Sequence, residues 1–167
     1  MKKITIQDIK DFKNIDSSFA TLTAYDFNSA HILDSAEIPL ILVGDSASMT
    51  MYGYNTTLPV SMDEMMLLVK AVTRGAKRSL VVADMPFLSY QPSLETTVKN
   101  AGLFMKECGA GAVKLEGGTR VVKNISTLVE HGIPVLGHIG LTPQSVNQMS
   151  GYKIQGKTTE DAQKIID

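Results

Sequence analysis

The sequence predicts an α/β fold built on a parallel sheet, and three observations predict it. Short apolar runs rich in β-branched residues alternate with longer stretches of helical period, the rhythm of βαβ units. The runs are near-continuously apolar, as strands are when both sheet faces are covered. Three of them end abruptly in a carboxylate: Ile41-Leu42-Val43-Gly44-Asp45, Leu80-Val81-Val82-Ala83-Asp84 and Ala112-Val113-Lys114-Leu115-Glu116. In parallel α/β folds the side chains that do chemistry sit where strands end, because the loops there form the open face.

In chain order, a polar N-terminal segment reads as a helix and leads to a first strand over Phe19–Tyr25. A helix from about Phe27 to Ala36 precedes a second strand over Ile38–Gly44. Gly53, Asn55 and Pro59 then break up Ser46–Val60, which predicts a long loop and a natural cover for a site. Ser61 followed by Glu64 has capping-box spacing and starts a helix that runs to Gly75. Ser79–Ala83 is the third strand, and Ser93, with Thr96 in place of the acid, starts a helix to Cys108. Gly111–Leu115, a helix over Thr119–His131 and Pro134–Ile139 complete the pattern. Thr158-Thr159-Glu160-Asp161-Ala162 opens one more helix, with acids in the dipole-favoured first turn. Five such strands fit an open doubly wound domain or the first part of a barrel, a fold that needs roughly 200 residues or more.

With 167 residues and 44% hydrophobic content, the expectation is a single domain, 1–167. Lys and Arg number 16 against 17 Asp and Glu, for a net charge of −1, and no basic stripe suggests nucleic acid or an anionic membrane. A small molecule is the expected partner. The single Cys108 rules out an internal disulfide framework and fits a reducing compartment. Charges at Asp8, Lys10, Asp11 and Lys13 interrupt the N-terminal stretch, and no segment holds the roughly 20 apolar residues that span a bilayer, so a cytoplasmic location is expected.

Asp45 and Asp84 are the leading metal candidates, because hard cations such as Mg²⁺ take a few carboxylate oxygens and complete their shell with substrate and water. Glu116 completes the set directly or through water. The competing reading of any one strand-end Asp is a helix cap or an Asx turn. Lys114 lies two residues before Glu116 and shares its strand face, which suits either a substrate acid group or a structural ion pair. Ser46 offers a hydroxyl or backbone N–H to a substrate oxygen, or merely shapes the turn. His138, in Gly137-His138-Ile139-Gly140, is an acid/base group, a hydrogen-bonding wall or a buried structural histidine. His31 and His131, on helices, are expected to stand outside the chemistry.

Gly151-Tyr152-Lys153-Ile154-Gln155-Gly156-Lys157-Thr158 fits the phosphate-loop pattern G-x-x-x-x-G-K-[ST] letter for letter. Its context is wrong, since no strand candidate immediately precedes it and the loop interior holds Tyr, Lys, Ile and Gln. Nucleotide binding is therefore not expected there.

The wording of six segments is more specific than their chemistry. Thr23-Ala24-Tyr25-Asp26, Val43-Gly44-Asp45-Ser46, Thr57-Leu58-Pro59-Val60, Ala83-Asp84-Met85-Pro86-Phe87, Val113-Lys114-Leu115-Glu116-Gly117-Gly118 and Gly137-His138-Ile139-Gly140-Leu141-Thr142-Pro143-Gln144-Ser145 together resemble the ketopantoate hydroxymethyltransferase family. The Gly151–Gly156 stretch resembles it too. The resemblance implies a (β/α)₈ TIM barrel of the phosphoenolpyruvate/pyruvate type, with about its first five βα units in these residues. It implies hydroxymethyl transfer from 5,10-methylenetetrahydrofolate to 3-methyl-2-oxobutanoate, through an enolate stabilised by Mg²⁺, in pantothenate biosynthesis, and a homo-oligomeric assembly. By the same resemblance Asp45 and Asp84 would bind Mg²⁺, Glu116 would join the metal shell, and Ser46 and Lys114 would hold the keto acid with His138 nearby. The family's proton-abstracting glutamate has no counterpart in residues 1–167, and Glu160 follows the fifth strand too closely to be that residue. The alternative expectation is thus a half-barrel without a catalytic base, which binds keto acid and Mg²⁺ or only assembles with other chains.

Overall fold

A computed structural model describes residues 2–14 and 18–166. Five strands form one sheet in the order β1 (Thr21–Thr23), β2 (Leu40–Val43), β3 (Leu80–Asp84), β4 (Ala112–Glu116) and β5 (Val135–His138). Every neighbouring pair is parallel. Sequential parallel order requires each crossover to return on the same side, and helices supply the crossovers. They are α2 (Phe27–Ser35), α4 (Met62–Gly75), α5 (Leu94–Lys106) and α6 (Val122–Glu130), with α1 (Ile6–Asn14) before the sheet and α7 (Thr159–Ile166) after it.

Local chemistry explains the helix starts. Asp26 accepts a hydrogen bond from the Ser29 N–H at 2.9 Å and caps α2. Ser61 and Glu64 form the full capping box that opens α4, and Ser93 accepts from the Thr96 N–H to open α5. The stretch expected to be one long loop after Asp45 contains a short helix, α3 (Ala47–Thr50). Four residues carry too little periodicity to be recognised.

Strand alternation sorts the sheet into two faces. Ile41, Val43, Val81, Ala83, Val113 and Leu115 point to one and pack against Met65, Val69, Val72, Phe104 and Leu128 of the covering helices. On the other face Leu40, Leu80, Val82 and Ala112 form a second, smaller cluster against Ile4, Ile6, Ile9 and Phe19 of the N-terminal segment. One or two steps further along the same face stand Asp84, Lys114 and Glu116. The inner face is therefore apolar where the strands begin and ionic where they end.

The second contact that positions the sheet joins α2 to the start of β3. Asp34, buried near the end of α2, accepts hydrogen bonds from the backbone N–H groups of Lys77, Arg78 and Ser79 and from the Ser79 hydroxyl, at 2.7–3.0 Å for the shortest bond of each. Cys108 is buried and unpaired, as expected of a core position. Among the described residues no helix is long and apolar enough to cross a membrane.

Candidate functional site

Strand register brings the ionisable residues together. Asp84 on β3 stands opposite Lys114 on β4, and Glu116 opposite His138 on β5. Lys114 Nζ donates to Asp84 Oδ2 at 2.6 Å, with the Lys side chain 11% and the Asp side chain 2% exposed. The same Asp84 oxygen accepts the backbone N–H of Asp45 at 3.2 Å, which ties the turn after β2 to β3. A Cβ on Gly44 would fall 2.8 Å from Ser46 Oγ, so glycine there leaves the Ser46 hydroxyl its place. Ser46 does not cap α3 with its side chain. Its hydroxyl pairs instead with the hydroxyl of Tyr25, 2.7 Å away, two residues past the end of β1.

Glu116 is buried and divided between two neighbours. Its Oε1 accepts the backbone N–H of Gln144 at 2.6 Å, and its Oε2 lies 3.3 Å from His138 Nδ1. The latter pair is close but out of line for a hydrogen bond, so both atoms stay buried without a partner among the described residues. Gln144 also donates its side-chain N–H to Asp45 Oδ2 at 2.9 Å. The Tyr90 hydroxyl lies 2.9 Å from the Glu116 carbonyl and 2.8 Å from Gln144 Oε1, sharing one proton between two acceptors. A cavity of about 460 Å³ opens beside this group, with Leu58, Phe87, Tyr90 and Arg120 in its walls.

The electrostatics are those of an anion-rich pocket. Burial, and then the charge of Asp84, push the Asp45 carboxyl up to about 7 against the Gln144 hydrogen bond and the Lys114 charge. Burial also raises Asp84, opposed by Lys114. Three buried carboxylates thus face one ammonium, and Asp84 Oδ1 is buried with no hydrogen-bond partner among the described residues. An orphaned carboxylate oxygen beside a second, reluctantly ionised carboxylate fits a hard divalent cation that prefers oxygen. Among the described residues no three His, Cys, Asp or Glu side chains enclose such an ion by themselves. A cation held here would keep coordination positions for water or ligand, as Mg²⁺ sites commonly do.

The structure brings Asp45, Asp84, Lys114, Glu116 and His138 to one sheet end and sets Ser46 beside them. It leaves His131 exposed on its helix end, and places Glu160 on α7 in an ion pair with Lys164 at 3.3 Å. Gly151–Thr158 is not preceded by a strand, since β5 ends at His138, and the phosphate-loop match has no strand–loop–helix setting. Sequence reasoning assigned no role to Gln144, Tyr25 or Tyr90. The first two lay inside segments singled out for their wording, whereas Tyr90 carried no local signal.

A model of the ketopantoate hydroxymethyltransferase family matches residues 3–167. The 3-methyl-2-oxobutanoate hydroxymethyltransferase of Carboxydothermus hydrogenoformans is 53% identical over all of this chain, and that of Thermobifida fusca 51% identical over 99% of it. The chain spans 60% and 59% of the length of these two curated relatives. Among solved structures, 2,3-dimethylmalate lyase, a member of the PEP mutase/isocitrate lyase superfamily, superposes with a TM-score of 0.59 at 16% identity, over 82% of this chain and 53% of that one. Oxaloacetate acetylhydrolase superposes with a TM-score of 0.56 at 10% identity, over 81% and 53%. These likenesses concern the fold: a parallel α/β sheet that corresponds to about half of a barrel enzyme.

Proposed function

Because the chain belongs to the ketopantoate hydroxymethyltransferase family, we propose that its ionic sheet end binds 3-methyl-2-oxobutanoate and Mg²⁺ for hydroxymethyl transfer from 5,10-methylenetetrahydrofolate, giving 2-dehydropantoate. The observation that carries the reading is the Asp84–Lys114 pair, in which one carboxylate oxygen is committed to the ammonium and the other is buried without a partner. A buried carboxylate left half-satisfied is costly unless a ligand completes it.

In this proposal Asp45 and Asp84 hold the cation, with Glu116 in reach directly or through water. When bound, Mg²⁺ supplies Lewis acidity, drawing charge from the keto oxygen and making the adjacent C–H more acidic. The chain's own residues do the rest. Lys114 compensates Asp84 and presents its remaining ammonium protons toward the substrate's acid group. Ser46, its hydroxyl fixed by Tyr25, holds a substrate oxygen in one orientation. His138 stands at the rim of the same face beside Glu116 and forms a hydrogen-bonding wall.

One experiment tests binding and another turnover. Calorimetric titration with Mg²⁺ and 3-methyl-2-oxobutanoate should give heat that Asp45→Ala loses; equal affinity in that variant would sink the assignment. In D₂O with Mg²⁺, hydrogen exchange at carbon 3 of the keto acid reports whether residues 1–167 also deprotonate it. A second reading has its own observation. Strand β5 is an edge of the sheet, and Leu136 on it and Ile139 just after it are exposed, at 40% and 56%. Such an edge suits a half-barrel that binds without turnover, or assembles with other chains. Binding without carbon-3 exchange would favour it.

A further inference from the structure

We infer that Gln144 is the positioning residue that sets Asp45 and Glu116 in fixed relation, an inference that rests on the reading of Asp45 as a cation-holding residue. All four hydrogen-bonding positions of its amide are used. Nε2 donates to Asp45 Oδ2 and to the Met85 carbonyl, each at 2.9 Å. Oε1 accepts from the Tyr90 hydroxyl at 2.8 Å and from Gln91 Nε2 at 3.0 Å. A half-turn of the amide would aim its oxygen at a carboxylate and a carbonyl, so only one orientation satisfies the surroundings. The backbone adds the third link, since the Gln144 N–H donates to Glu116 Oε1 at 2.6 Å.

The residue is 6% exposed and sits in the 3₁₀ turn Pro143–Ser145 that follows β5. Proline in the first turn restricts the backbone there, which holds both the side chain and the N–H in place. One residue that follows β5 thereby fixes one oxygen on each of two carboxylates, one in the turn after β2 and one on β4. Asp45 Oδ2 is occupied by the amide, which confines its part in any cation site to a defined orientation. Partners of this kind typically govern metal affinity by 10–100-fold (about one to two decades) without touching the metal.

Gln144→Met separates the two links, because it keeps the side-chain volume and the backbone N–H while deleting the amide. In ¹³C-labelled protein the Asp45 carboxyl resonance should move in this variant, and the Glu116 carboxyl resonance should stay. Titration with Mn²⁺, followed by electron paramagnetic resonance, should show affinity reduced by about 10–100-fold. A merely structural role would move neither signal selectively. An unchanged Asp45 resonance, or Mn²⁺ affinity equal to that of the unaltered chain where Asp45→Ala loses it, overturns the inference. If Asp45→Ala binds Mn²⁺ as the unaltered chain does, the cation reading itself fails, and the Asp45 resonance alone then decides the positioning role. A measurement on the unaltered chain needs no variant: the Gln144 side-chain amide should exchange slowly with D₂O, and fast exchange overturns the inference as well.

Discussion

Asp84 and Lys114 face each other across the β3–β4 ladder, and their side chains meet at 2.6 Å with almost no solvent between. Removing either partner of such a pair strands a charge in a poorly solvated place. Lys114→Met should therefore lower the unfolding free energy by about 3–5 kcal/mol, read from urea titration. The double variant Lys114→Met/Asp84→Asn should cost clearly less than the two single changes added together, because neither charge is then left alone. Strict additivity would mean that the two side chains do not interact.

The Asp45 carboxyl gives the cradle a pH signature. Its folded value of about 7 lies above the ordinary 3.8, so the folded state favours its protonated form. That contribution to stability is fully present below the unfolded value and is lost as pH rises through the folded one. The melting temperature should fall between about pH 4 and pH 7 and level off above, less so in Asp45→Asn, and Mg²⁺ should restore part of it at the upper end. Melting curves that are parallel in both proteins across this range would contradict the assignment.

Asp34 predicts the opposite slope at lower pH. Burial pushes its carboxyl up, but the hydrogen bonds from Ser79, Lys77 and Arg78 outweigh this and hold it below the usual 3.8. Its contribution is present above the unfolded value and is lost as pH falls through the folded one. Asp34→Ala, which orphans three backbone N–H groups, should cost about 3 kcal/mol at neutral pH and reduce the sensitivity to acid. Both are measured by denaturant unfolding across pH.

Gly75, the last residue of α4, packs where α2 passes. A Cβ there would fall inside the contact distance of the Phe27 carbonyl oxygen and reach 3.0 Å from Ala30 Cβ. In an isolated helix Gly→Ala gains about 1 kcal/mol, but here overpacking should reverse the sign and cost about 1–3 kcal/mol. Thermal unfolding of Gly75→Ala decides between the two.

The middle strands β2, β3 and β4 were legible because they are buried nearly throughout, and α4 and α5 because each buries a stripe at helical spacing; β1, which is exposed, and β5, which is only partly covered, depart from the expectation of strands covered on both faces. Boundaries shifted for physical reasons. Asp84 and Glu116 pair inside their ladders rather than beyond them, and β1, bonded on one side only, is shorter than the apolar run Phe19–Tyr25. The ionic members of the cradle were legible because charge at the end of an apolar run is conspicuous. Gln144 was not, since its meaning lies in an amide that reaches a residue 99 positions away, and neutral amides are unremarkable in a sequence. Asp34 escaped for the same reason: its partners lie 43–45 positions further on, and no local period links a helix end to a strand start.

The inner sheet face, greasy at the strand starts and charged at the strand ends, has a consequence for how such a chain tolerates change. Leu40, Leu80, Val82 and Ala112 form a footing that the N-terminal segment covers, and the rim residues are spaced from it along the strands by the pleat. Reactivity can then be rewritten at the rim by substitutions that leave the footing's packing alone. Damage to the footing, in turn, should disturb every rim residue at once, so the two ends of the same five strands answer to different selective pressures.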